Sequence, residues 1–257
     1  MYETLKVTVA ERVACIVLDR PERRNAMSAV LLRELIACAG ELEPRQDVDV
    51  VIVTGAGTCF SAGADLKDPS RWANDGASMI ERRDIASLGL RMARAWEELP
   101  QVTIGAVEGY AIGGGLALCA ALDWRVIASD AFVSLPEIAL GIPLTWGTIP
   151  RLVNLVGPAK AKRLTILCER VAAADALAMG LVDYVSAPGG AVALARKVAA
   201  QVLEMPRHSV RMSKETANAY ANLGAHATSY MAHDQLMLSA GSPESAAARD
   251  KALKKKS

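Results

Sequence analysis

The chain has 257 residues, 52% of them hydrophobic and 22% charged, with a formal net charge of +1. That near-neutral balance argues against an electrostatic surface for nucleic acid or acidic membranes, and no apolar run reaches the roughly 18 residues of a membrane span. The five cysteines are scattered, with no Cys-x-x-Cys pair and no Cys/His cluster, so no metal site is expected. This usage points to a reducing compartment, and no basic-then-apolar signal opens the chain. A cytoplasmic protein is the expectation.

In chain order, Val7–Ala10 and Val13–Leu18 read as a strand pair turning at Glu11 and Arg12, followed by a charged loop from Asp19 to Ala26. Ser28 can N-cap a helix running to about Glu43. Val48–Val53 is almost wholly apolar and β-branched, the mark of a strand buried on both faces. From Phe60 to about Arg83 the chain is polar and loop-like; Ile85–Leu99 then reads as a helix ended by Pro100. Val102–Val107 is a second buried strand, Leu116–Leu122 an apolar helix and Trp124–Ala128 a third strand. This alternation predicts an α/β fold. Beyond about Ala191 only helical patterns remain, and the tail from Lys251 to Lys256 reads as a solvated basic terminus.

Chemistry concentrates in three segments. Gly113, Gly114 and Gly115 lie between a strand and a helix, where bare backbone lets a ligand approach amides near the positive end of a helix dipole. An oxyanion donor, close packing of helix on strand, and a nucleotide loop all remain open there. The dinucleotide fingerprint Gly-x-Gly-x-x-Gly is absent, both here and at Gly55-Ala56-Gly57. The second segment, Phe60 to Lys67, is rich in small residues; Asp65 can cap a turn, and Ser61 lacks both a nearby base and the Gly-x-Ser-x-Gly elbow. In the third, Glu137 stands in apolar surroundings. Burial without a cation would raise its pKa and make it a useful base, whereas pairing with arginine or capping a helix would leave it structural. His208, His226 and His233 all fall in the C-terminal part, which argues against a Ser/His/Asp triad.

Taken together, Arg20-Pro21 with Asn25-Ala26-Met27, Phe60 through Leu66, Gly109 through Gly115, Pro136-Glu137 with Leu140-Gly141, and Ala178 through Asp183 resemble the crotonase superfamily, the enoyl-CoA hydratase/isomerase family. The resemblance spans nearly the whole chain. It implies a spiral of ββα units (residues 1–195) and a helical C-terminal region (196–257) that builds homotrimers or hexamers. It also implies acyl-CoA thioesters as substrates, coenzyme A entering only as part of the substrate, with no separate cofactor. The resemblance assigns the two oxyanion amides to Ala62 and Gly114. It assigns CoA contacts to Arg23, Arg24, Ala26, Ala64, Asp65 and Leu66, the arginines being suited to phosphates. Leu116, Ile142 and Trp146 are candidates for the acyl pocket, and the stretch from Asp68 to Arg83 is expected to border it.

Family hydratases use a pair of glutamates, one to orient water and one to protonate the α-carbon. Ala117 stands at the first position and Glu137 at the second. Dienoyl-CoA isomerases and aryl dehalogenases carry an aspartate where this chain has Thr145. A single carboxylate favours proton shuttling of the enoyl-CoA isomerase type. The rivals are a hydratase with atypical water activation, another enolate reaction such as decarboxylation or carbon–carbon cleavage, and a non-catalytic acyl-CoA binding protein.

Overall fold

The computed structural model describes residues 1–69, 76–225, 229 and 231–254. The expected hairpin is β1 (Leu5–Ala10) and β2 (Val13–Leu18), antiparallel, with Glu11 and Arg12 both at positive φ in the turn. Strands β3 (Val50–Gly55), β4 (Val102–Val107), β6 (Trp124–Ala128) and β9 (Tyr184–Ser186) extend β2 in parallel, giving the order β1-β2-β3-β4-β6-β9. A smaller sheet of β5 (Tyr110–Ile112), β7 (Phe132–Ser134) and β8 (Arg170–Ala172) lies beside it. Lone bridges Met27↔Ala64 and Ser61↔Ala111 carry the same second layer across the earlier turns. Each turn of the spiral thus supplies a main-sheet strand, a short second-layer segment and a helix.

Among the described residues the α-helices are α1 (Ala29–Leu42), α2 (Met79–Glu97), α3 (Gly114–Ala121), α4 (Thr148–Ile166), α5 (Ala173–Met179), α6 (Ala191–Leu203), α7 (Arg207–Ala221), α8 (Ala232–Ala240) and α9 (Pro243–Lys254). Ser28 caps α1 as expected, its Oγ accepting from the Leu31 amide at 3.2 Å. The run of β-branched residues in β3 does face apolar partners on both sides. Val51 and Val53 join the core with α1 and α2, while Val50 and Ile52 pack with Ala191, Ala195 and Val198 of α6. α2 begins earlier than the apolar pattern implies, at a Ser78/Glu81 capping box, because its first turn is exposed throughout, Met79 and Ile80 included, and carries no periodic signal. No described helix is long and apolar enough to cross a membrane.

The expected division at residue 195 falls inside α6. That helix covers the main sheet, so the core continues to about Leu203. α7 docks through Lys214, whose buried ammonium donates to the Gln101 carbonyl at 2.7 Å and to Asp123 at 2.6 Å. α8 packs on α2, with Arg83 paired to Asp234 at 3.1 Å. α9 packs on the short 3-10 turn Ile138–Leu140 of its own chain; a Cβ at Gly141 would meet Ser245.

Candidate active site

The glycine segment forms the floor of the site. The peptide leaves β5 through Gly113, at φ 53° and ψ −118°, and enters α3 at Gly114. The Gly113 amide donates to the Ser134 carbonyl at 2.8 Å, and the Gly113 carbonyl accepts from Ala117 at 2.9 Å. The Gly114 amide, on the first turn of α3, donates to no described protein group. It remains free at a helix N-terminus, as the exposed-backbone reading requires.

The segment from Ser61 to Asp65 lies beside this floor. A Cβ on Gly63, at φ 87°, would come within 3.3 Å of the Gly114 nitrogen, so the two backbones adjoin. The Ala62 amide, expected as an oxyanion donor, instead donates to the Arg24 carbonyl at 2.9 Å. A proton already committed to a carbonyl is not available to a substrate oxygen. Ala64 is different. Its neighbours bond Met27, through Met27 N to Gly63 O at 2.8 Å and Asp65 N to Met27 O at 3.1 Å, while the Ala64 amide donates to no described protein group. Alternation along an extended segment turns the Ala62 and Ala64 peptides in ways that chain order alone does not reveal.

Two of the expected CoA contacts, Asp65 and Ala26, serve the loop itself. Asp65 pairs with Arg20 at 3.1 Å and accepts from the Lys67 amide at 3.1 Å. Arg20 also donates to the Ala26 carbonyl. Asn25, fully buried and missed as a site organiser, accepts from Arg20 N and donates to the Ala56 and Cys59 carbonyls. Ser61 is fully buried; its Oγ donates to the Asn25 carbonyl at 2.8 Å and accepts from Gly63 N, a structural role. Arg23 and Arg24 are exposed, while Ala26, Ala64 and Leu66 are half-buried at the rim.

Glu137 opens the 3-10 turn and rests against Gly113, where a Cβ would collide with its carboxylate. Part of the residue reaches the surface, yet Oε2 is sealed from solvent and has no hydrogen-bond partner. Burial pushes this carboxyl up to about 7, only partly offset by its own backbone amide. The alternative roles, pairing to arginine or capping a helix, are absent: no described cation pairs with it, and its side chain caps nothing. Ala117 is buried on α3, one turn beyond Gly113. Leu116 is a core residue at 1% exposure, and Ile142 is half-buried, its amide donating to the Glu137 carbonyl at 2.9 Å.

Trp146 stands beside the same floor. Its indole occupies the space that a Cβ on Gly114 or on Gly89 would need. Gly89 went unnoticed in the sequence, although a glycine inside a helix costs ~1 kcal/mol against alanine and so signals close approach. Also missed was Arg151, which pairs with Glu97 at 2.6 Å and donates to the Trp146 and Gly147 carbonyls at 3.2 and 3.0 Å. A cavity of about 660 Å³ lies elsewhere, between α7 and the end of α3, and touches none of Gly114, Glu137 or Trp146.

Residues 8–253 match the profile of the enoyl-CoA hydratase/isomerase family. The chain is 33% identical over 218 residues to a crotonyl-CoA hydratase of Syntrophomonas wolfei, covering 84% of this chain and 82% of that one. It is 35% identical over 192 residues to the mitochondrial Delta(3,5)-Delta(2,4)-dienoyl-CoA isomerase of Mus musculus, covering 72% and 59%. Among solved structures, an enoyl-CoA hydratase/isomerase from Xanthobacter autotrophicus Py2 superposes with a TM-score of 0.87 at 30% identity, over 96% of this chain and 91% of that one. A profile match over nearly the whole length and relatives about one-third identical show that this chain belongs to the enoyl-CoA hydratase/isomerase family.

Proposed function

We propose that the protein shuttles a proton on an enoyl-CoA thioester, with Glu137 as the single acid–base group. Glu137 takes a proton from C2 of a 3-enoyl-CoA. The electron pair delocalises onto the thioester oxygen and across the former double bond, giving a dienolate. Glu137, now protonated, returns that proton at C4 and leaves the 2-enoyl-CoA. The thioester oxygen is held by the amides of Gly114 and Ala64, free donors on adjoining backbones. Loss of a donor of this kind typically costs about 3–4 kcal/mol of transition-state stabilisation.

The carrying observation is the state of Glu137: a buried carboxylate with a partnerless oxygen, poised near neutrality. A group that must be base first and acid second works best with its pKa near the working pH. Ala117 offers no second carboxylate to hold an attacking water. The exposed Arg23 and Arg24 suit the CoA phosphates.

Hydration is the second reading, favoured by the name of the Syntrophomonas relative. Purified protein is given 3-hexenoyl-CoA and, separately, crotonyl-CoA. Conversion of the first to 2-hexenoyl-CoA, with little hydration of the second, supports proton shuttling. Rapid hydration of crotonyl-CoA without isomerisation of 3-hexenoyl-CoA sinks it. The trimer or hexamer implied by the resemblance is tested separately, by light scattering.

A further inference from the structure

The geometry points to Trp146 as a fixed end wall that limits this site to short acyl chains, an inference that rests on the acyl-CoA reading above. Each residue of the Gly113–Gly114 pair carries a side chain against it. Glu137 lies over Gly113, and the benzo edge of Trp146 lies over Gly114, with Cη2 at 2.6 Å from where a Cβ would stand. Met27 Sδ crowds the same position at 3.4 Å. A thioester whose oxygen meets the Gly114 amide and whose C2 meets Glu137 therefore has the indole beside it within its first few carbons.

The wall is built to stay in place. The indole is 7% exposed and is wedged between two backbones, Gly114 at the start of α3 and Gly89 in the middle of α2. Backbone inside packed helices cannot give way as a flexible side chain can. The main chain of Trp146 is held too. Arg151 donates to its carbonyl at 3.2 Å and to that of Gly147 at 3.0 Å. That guanidinium is in turn fixed by Glu97 through bonds of 2.8 and 2.6 Å, with both side chains largely buried. Arg151 and Glu97 act as positioning residues for the wall. A long acyl chain running toward the indole must displace a ring wedged between two backbones, so chain length is read by steric exclusion.

The test is calorimetric titration with butyryl-, octanoyl- and dodecanoyl-CoA, saturated thioesters that bind without net conversion to product. The native protein is expected to bind butyryl-CoA at least about ten-fold more tightly than dodecanoyl-CoA, the scale on which pockets discriminate chain length. Trp146→Ala should remove or invert that ratio, and Trp146→Phe should give an intermediate one. Native protein that binds dodecanoyl-CoA as tightly as butyryl-CoA overturns the wall. So does a folded Trp146→Ala with an unchanged ratio. If Trp146→Ala fails to fold, the Trp146→Phe ratio decides: a shift toward longer chains supports the wall, and none overturns it. Absence of binding by all of the thioesters, butyryl-CoA included, is a different failure and removes the acyl-CoA reading itself.

Discussion

The carboxylate of Glu137 rests against the bare Cα of Gly113, one residue before the free amide of Gly114. This contact joins the carboxylate to the start of α3, so that in the proposed reaction one short stretch of backbone would serve both proton transfer and charge stabilisation. Glu137→Gln keeps the shape and removes the base. Exchange of the C2 protons of butyryl-CoA in deuterium oxide, followed by NMR, should slow by about 10²–10⁴-fold, with thioester affinity kept. Undiminished exchange would assign the chemistry to another group.

Gly113 is required by two independent constraints. Its φ of 53° with ψ of −118° disfavours any side chain, and a Cβ there collides with Glu137. Gly113→Ala should lose roughly 1–3 kcal/mol of stability in chemical denaturation. It should also lose most exchange activity even where folded, because the carboxylate is pushed off its seat. A variant with native stability and activity would contradict the contact.

The raised pKa of Glu137 makes a pH prediction with a definite sign. The folded protein binds this proton up to about pH 7, whereas an unfolded chain releases it near the ordinary carboxylate value of 4.5. Stability contributed by the bound proton is fully present below the unfolded value and is lost as pH rises through the folded one. Glu137→Gln lacks that loss, so its stability advantage over native protein should grow across this window to roughly 3 kcal/mol above neutrality. Denaturant titrations at either end of the window measure it, and equal gaps at both ends refute it. Exchange activity of the native protein should rise as pH passes upward through about 7, where Glu137 becomes a base.

Arg20 and Asp65 tie the loop before Met27 to the segment carrying Ala64. Asp65→Ala leaves a largely buried guanidinium without that partner. A stability loss of about 1–3 kcal/mol is expected. Because the Ala64 amide loses its register, butyryl-CoA affinity should fall as well. Denaturation and calorimetry check the two effects, and full affinity in the destabilised variant would detach Ala64 from the site.

Lys214 offers a control remote from the chemistry. Burial holds its ammonium below the usual lysine range against the pull of Asp123. Lys214→Met removes the cation, but Asp123 still accepts from the Thr103 amide at 2.7 Å and hydroxyl at 3.0 Å. The expected cost is near the lower end of a broken buried pair, about 3 kcal/mol. Exchange activity of the folded protein should be unchanged; its loss would couple α7 to the site.

Apolar pattern by itself placed β2, β4 and β6 to the residue and β1 and β3 to within two, because buried β-branched runs have few alternative structures, while β9 went unread. It also placed the glycine segment at a helix entrance, and the family resemblance set Ala117 where hydratases carry a second glutamate. Short strands such as β7 and β8 left no such trace, since runs of this length carry no measurable period. Which of the Ala62 and Ala64 amides is committed belonged to the tertiary structure, because only the bonding of this segment to Arg24 and Met27 shows it. So did the pKa of Glu137, which depends on burial by distant segments, and the placement of Trp146, which depends on two glycines far apart in the chain. Residue identity and local period are properties of short segments, whereas desolvation, free hydrogen-bond capacity and steric walls arise only when separate segments meet.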